Sequence, residues 1–228
     1  MSSIYLVRHG QASFGKADYD QLSPKGFSQS ATLFEHFRHL NPTHLYRGAM
    51  LRHEQTGQAY CDSAGLQMTM RCDTGFNEFD HVDVLNCYKP AWKDRTQMAA
   101  EIGNEAHPGR YFQQQFTLAV KRWVAGDHDG DYAETWNAFK TRVETAFLSL
   151  VARLPGGSNA IVFTSGGPIS VICGHILGLG VEQTLSLNEN IANASVTRVL
   201  SNKDKLSLHY FNNYSHLQSG GEQLLTYR

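Results

Sequence analysis

Ile4-Tyr5-Leu6-Val7 is an uninterrupted apolar run that stops at Arg8-His9-Gly10. Continuous hydrophobicity predicts a strand buried on both faces, as in a parallel sheet. Ala160-Ile161-Val162-Phe163 repeats the pattern and stops at Thr164-Ser165-Gly166-Gly167-Pro168. Ser23-Pro24 predicts a helix start, with a capping hydroxyl followed by proline at the first helical position. Phe27, Ala31, Phe34 and Phe37 give that helix its predicted apolar face, and Pro42 ends it. A short strand is predicted at Thr43–Tyr46, a helix from about Met50 to Ala64, and a third, alternating strand at Leu66–Met70. Trp136, Phe139, Val143, Phe147, Leu150 and Leu154 recur at helical spacing. A further helix follows Pro168 to about Leu179, and Val196–Leu200 with Leu206–Phe211 reads as a closing strand pair. The last residues, poor in apolar side chains, read as a loose tail. This alternation predicts an α/β fold with a largely parallel sheet. The rhythm breaks over about 80–135, around Pro90, Pro108 and the stretch Gly126–Asp131, which reads as an insertion forming a helical cap over a site.

Composition narrows the function classes. The chain has 228 residues, 41% hydrophobic and 18% charged, as expected of one globular domain carrying an insertion. A net charge of -1 argues against a nucleic-acid partner, so an anionic ligand must be held by a local cluster. Cys61, Cys72, Cys87 and Cys173 form no C-x-x-C pair and are expected to be reduced, mostly structural thiols. No charged and apolar leader precedes the first strand, and no apolar run approaches the roughly 20 residues of a membrane span. A cytoplasmic protein with no membrane partner is therefore expected. The 11 histidines include no H-E-x-x-H or Cys/His ligand spacing, so no metal is expected. His36 and His39 read as a solvated helix face.

In open α/β sheets ligands bind beyond the carboxyl ends of the strands. Arg8-His9-Gly10 and Ser165-Gly166-Gly167 both fall there. A neutral imidazole can attack phosphorus without first losing a proton, an arginine can pair with phosphate oxygens, and a glycine lets backbone approach an anion. The tripeptide alone is weak; its context is more telling. Arg8-His9-Gly10-Gln11 is followed by Leu22-Ser23-Pro24-x-Gly26-x-x-Gln29, then by Leu51-Arg52-His53-Glu54-Gln55-Thr56 and by Asn77-Glu78. Val162-Phe163-Thr164-Ser165-Gly166-Gly167 and Asn193-Ala194-Ser195-Val196-Thr197 complete the series. In order and spacing these blocks resemble the histidine phosphatase superfamily, the group that contains the cofactor-dependent phosphoglycerate mutases.

That resemblance implies a three-layer α/β/α sandwich, with a mostly parallel central sheet and a helical cap insertion. It implies His9 as phosphohistidine nucleophile, Arg8 and Arg52 as phosphate-binding arginines, and Glu78 as the acid that protonates the leaving oxygen and later helps activate water. Gln11, Ser13 and the loop to Gly15 match the segment lining the substrate pocket, with Ser165 and Gly166 on its opposite wall. Phe14, on that loop, is expected to touch either substrate or cap. Trp92, Trp123 and Trp136 are expected to pack the cap onto the sheet, or failing that to line an apolar part of the pocket.

The resemblance departs at Ser165, where the family carries a second histidine. Loss of a charge-assisted contact to a phosphoryl transition state costs on the order of 3 kcal/mol, or ~100-fold in rate. Gly166 and Gly167 still open a helix whose amides favour an anion. Arg47, His53 and His81 lie beside matched blocks and are candidates for the missing charge, though each alone reads first as a surface residue. Three activities stay in view. The first is a metal-independent phosphatase acting on a small phosphorylated substrate, with no cofactor. The second is a phosphoglycerate mutase, disfavoured by Phe14-Gly15 and Phe79-Asp80-His81 and by a tail without lysine. The third is a phosphate-ligand binding protein that has lost catalysis, motivated by Ser165 alone.

Overall fold

The computed structural model describes residues 1–13, 20–202, 205–218 and 224–227. Along the chain run β1 (Ser2–Arg8), α1 (Pro24–Ala31), α2 (Leu33–Phe37), β2 (His44–Arg47), α3 (Leu51–Ala64) and β3 (Met70–Cys72). Helices α4 (His81–Tyr88), α5 (Arg95–Gly103), α6 (Pro108–Ala125) and α7 (Trp136–Arg153) follow. The chain continues with β4 (Asn159–Thr164), α8 (Gly166–Leu177), α9 (Val181–Asn190), β5 (Val196–Asn202), β6 (Lys205–Asn213) and α10 (Ser215–Gln218).

The six strands form one mixed sheet in the order β3-β2-β4-β1-β5-β6, with helices on both sides. β1 to β4 are mutually parallel; β5 runs antiparallel to β1, and β6 antiparallel to β5. The continuous apolar runs are the two central strands, β1 and β4, whose side chains are buried on both faces. Their register pairs Arg8 with Thr164, so the two strands deliver their carboxyl ends side by side.

Several elements differ from the sequence expectation. The predicted helix over 24–41 is two helices divided at Thr32. Leu33 and Phe37 are buried, whereas Phe27 and Phe34 are 42% and 38% exposed. The inward face of α1 is instead Gly26, Gln29 and Ser30, because it receives backbone rather than apolar side chains. The third strand begins only at Met70. Leu66 and Met68 alternate because both pack on the core cluster of Phe37, Leu45, Tyr60 and Phe163, without ladder bonds of their own. Helix α9, polar throughout most of its length, gave no periodic signal. The tail over 224–227 is not loose: Leu224 is buried, Gln29 donates to its carbonyl, and Asn193 N–H donates to the Thr226 carbonyl at 2.8 Å. His36 is no solvated residue either, since its Nε2 lies 2.9 Å from the Tyr210 hydroxyl.

The chain divides into two compact units, Met1–Glu78 with Val143–Arg228, and Phe79–Arg142. The first contains the whole sheet. The second has its own aromatic core, in which the Trp123 ring lies 4.8 Å from Phe79, 5.4 Å from Trp136 and 5.7 Å from Phe139. Trp92 stacks on Phe112 and donates to Glu101 at 2.7 Å. The polar stretch after α6 is pinned: Arg122 pairs with Asp131, Ala133 N–H donates to Asp83, and Glu134 pairs with Arg142. Among the described residues no helix is long and apolar enough to cross a membrane. All four cysteines are free thiols.

Candidate active site

The site is built where β1 ends. A Cβ on Gly10 would stand 2.3 Å from the Gly26 carbonyl oxygen, and one on Gly26 would stand 2.1 Å from the Gln11 carbonyl oxygen. Two backbones therefore cross in direct contact, which only glycine permits. The crossing is bonded on every side. Gly10 N–H donates to Thr56 Oγ1 at 3.1 Å, Gln11 N–H to Gln29 Oε1 at 2.7 Å, and Ser23 Oγ to Gln11 Oε1 at 3.0 Å. Ser13, itself buried, donates to the Leu22 carbonyl at 3.1 Å.

This frame orients His9. Its ring Nδ1 lies 2.7 Å from the Gly10 carbonyl oxygen. A carbonyl can only accept, so the proton sits on Nδ1 and the lone pair on Nε2. Burial, reinforced by the cations of Arg52 and Arg8 and by His53, holds this imidazole well below its ordinary pKa, against a smaller opposing effect of the Gly10 carbonyl. His9 is thus neutral at physiological pH, with an unprotonated Nε2.

Arg52 stands in the first turn of α3 with its guanidinium fixed by Asp20 at 2.7 Å. Asp20 also accepts the Leu51 N–H at 2.9 Å, so one carboxylate caps the helix and orients the arginine. Arg8 donates to the Ile191 carbonyl.

The neighbouring exit, from β4, carries the second group of residues. His9 N–H donates to the Thr164 carbonyl at 2.8 Å, which joins the two exits. Thr164 Oγ1 donates to the Phe76 carbonyl at 2.7 Å and so holds the segment leading to Glu78. Glu78 Oε2 accepts the Gly167 N–H in the first turn of α8 at 3.0 Å. Ser165 is fully buried, and its hydroxyl lies 2.7 Å from His53 Nε2.

Arg8, His9 and Arg52 are therefore gathered at one point, with Glu78, Ser165 and Gly166 on the adjoining exit. Gln11 and Ser13 hold the loop by the bonds given above. Gly15 and Phe14 lie outside the described residues. Of the candidates for extra positive charge, Arg47 pairs with Glu54 at 3.2 Å, and His81 opens α4 in the other unit. His53 is neither a surface residue nor a cation: it is fully buried, and burial together with Arg52 and Arg47 holds its pKa well below the ordinary value. Sequence reasoning assigned no role to Thr56, Gln29 or Asp20. Thr56 and Gln29 stood within the quoted blocks, which was their signal; Asp20 had none.

Chemically, the arrangement offers an unprotonated imidazole nitrogen near two guanidinium groups, with a carboxylate close by on a helix terminus. It suits attack on an anionic, electrophilic centre. Among the described residues no cluster of three or more His, Cys, Asp or Glu side chains is arranged to hold a metal.

Solved structures share the fold. A phosphoglycerate mutase from Bacillus anthracis str. Sterne is 19% identical, covers 97% of each chain and superposes with a TM-score of 0.66. A phosphoserine phosphatase mutant from Entamoeba histolytica, in complex with phosphoserine, is 17% identical over 95% of this chain and 100% of that one, with a TM-score of 0.65. A mycobacterial glucosyl-3-phosphoglycerate phosphatase is 20% identical over 92% and 98%, with a TM-score of 0.63. Comparison with curated proteins found no match. The family described as histidine phosphatase superfamily (branch 1) matches residues 4–214, and the chain belongs to that superfamily.

Proposed function

We propose that the protein is a metal-independent phosphatase of small phosphomonoesters that works through a phosphohistidine at His9. The observation that carries this reading is the His9 Nδ1–Gly10 hydrogen bond, which leaves Nε2 as a free lone pair in a cationic setting. In the first half-reaction Nε2 attacks phosphorus, the P–O ester bond breaks, and the protonated Glu78 carboxyl gives its proton to the departing oxygen. In the second, the Glu78 carboxylate takes a proton from water, the hydroxide oxygen bonds to phosphorus, and the P–N bond breaks. Inorganic phosphate leaves and His9 and Glu78 return to their starting states. Arg8 and Arg52 offset the phosphoryl charge in both transfers, as the clamp of such reactions requires. Residues 79–142 fold as a compact unit, and in this reading the inserted stretch of about 80–135 within it selects the substrate.

Purified protein should hydrolyse p-nitrophenyl phosphate in the presence of a chelator, and His9→Ala should abolish the activity. Hydrolysis that survives His9→Ala would sink the mechanism. Interconversion of phosphoglycerates faster than their hydrolysis would instead make the protein a mutase. A stable complex with a phosphorylated ligand and no turnover would make it a binding protein.

A further inference from the structure

His53 and Ser165 are both fully buried, and they face each other across 2.7 Å. Neither appears in the two half-reactions above. Their positions in the chain give the contact its interest. His53 directly follows Arg52 at the start of α3, but its ring turns into the interior, 5.8 Å from the His9 ring. Ser165 directly precedes α8, whose Gly167 amide holds Glu78. One hydrogen bond thus ties the segment carrying a phosphate-binding arginine to the segment carrying the acid's amide partner, with the nucleophile beside it.

The direction of the bond follows from the other ring nitrogen. His53 Nδ1 is buried and has no hydrogen-bond partner. An orphaned acceptor is tolerated in an interior better than an orphaned N–H. A neutral His53 therefore carries its single proton on Nε2 and donates it to Ser165 Oγ. Space is tight around the ring: a Cβ on Gly48 would lie 2.3 Å from His53 Nδ1. The imidazole is held on both sides, by the Gly48 backbone and by the serine.

We propose that His53 is a positioning residue of the phosphate site, acting through Ser165 as a brace that sets Arg52 against the start of α8, whose Gly167 amide holds Glu78. The proposal rests on the phosphatase reading and adds to it. Ser165 is then the partner that a buried imidazole on α3 requires, rather than a vestige of a lost catalytic group.

The test is a double-mutant cycle with His53→Leu, Ser165→Ala and the two combined, read as kcat and KM on p-nitrophenyl phosphate. Inorganic phosphate affinity by calorimetry is the second readout, and thermal melts confirm folding. Each single change is expected to lower kcat/KM by about 10- to 100-fold, the scale of a small misplacement of reacting groups. The double variant is expected to fall no further. His53→Gln, whose amide nitrogen reaches the position of Nε2, is expected to recover most of the loss, whereas His53→Asn is not. Phosphate affinity should show the same non-additivity. Losses that multiply in the double variant, or equal behaviour of His53→Gln and His53→Asn, would overturn the brace. His9→Ala in the same series separates the two claims. If it remains active, the phosphohistidine reading fails; if it is inactive while the His53 and Ser165 losses multiply, only the brace fails.

Discussion

At the residue scale, protonation and hydrogen-bond satisfaction govern the site. His9 is held neutral well below its ordinary pKa by burial and by Arg52 and Arg8. Its protonation should therefore cause no fall in kcat/KM between pH 7 and 6, which a pH–rate profile on p-nitrophenyl phosphate would show; an acid limb centred near 6.5 would contradict this. Glu78→Gln is expected to lower kcat on an alkyl phosphate by about 100-fold or more. It should affect p-nitrophenyl phosphate far less, because nitrophenolate leaves without a proton. Equal losses on both would remove Glu78 as the acid. Gln29 is fully buried and satisfies the Gln11 N–H and the Leu224 carbonyl together. Gln29→Leu should cost about 2–3 kcal/mol in urea unfolding, since it strands buried polar groups. That Arg8, His9, Arg52 and Glu78 belong to the candidate site was legible in the sequence only through the resemblance that their short blocks carry together. The inward turn of His53 was not. Arg52 and His53 are neighbours on one helix and both are buried; only the packed interior decides that the guanidinium meets Asp20 while the imidazole meets Ser165.

At the scale of elements, the helix starting at Pro24 shows how an apolar pattern misleads. Its phenylalanines predicted one buried face, yet α1 turns Gly26, Gln29 and Ser30 inward. The requirement that won is backbone against backbone at Gly10–Gly26, a contact that hydrophobic periodicity cannot register. Gly26→Ala should accordingly destabilise the protein by about 1–3 kcal/mol, as overpacking does. It should also reduce activity, because the clash falls on Gln11, two residues from His9. A variant with unchanged stability would show that the crossing is slack. The two central strands were readable because full burial imposes continuous hydrophobicity; the short edge strand β3 was expected at Leu66–Met70 and lies instead at Met70–Cys72.

At the scale of the whole molecule, buried neutral histidines couple folding to pH. Burial lowers His36 and His216 to about 4, and holds His9 and His53 well below 6.5. Because the folded values lie below the unfolded one, the unfolded chain binds more protons as pH falls. The stabilisation is fully present above about 6.5 and is lost progressively toward about 4, at up to about 1.4 kcal/mol per pH unit for each fully buried ring. His216 is 5% exposed and donates to the Ala194 carbonyl at 3.0 Å. Urea midpoints should fall steeply from pH 6.5 to 4.5, and less steeply in His216→Gln; an unchanged slope would contradict the assignment. The α/β class was legible from alternation alone. The burial of the tail was not, because it depends on Gln29 and Asn193, far away in sequence. The central claim for the molecule is the phosphohistidine. Its most direct measurement is mass spectrometry of protein denatured in alkali during turnover of p-nitrophenyl phosphate, conditions that preserve a phosphorus–nitrogen bond. A phosphoryl group on the peptide containing His9, absent from His9→Ala, is the predicted result. Continued turnover with no adduct on that peptide, undiminished in His9→Ala, would contradict it.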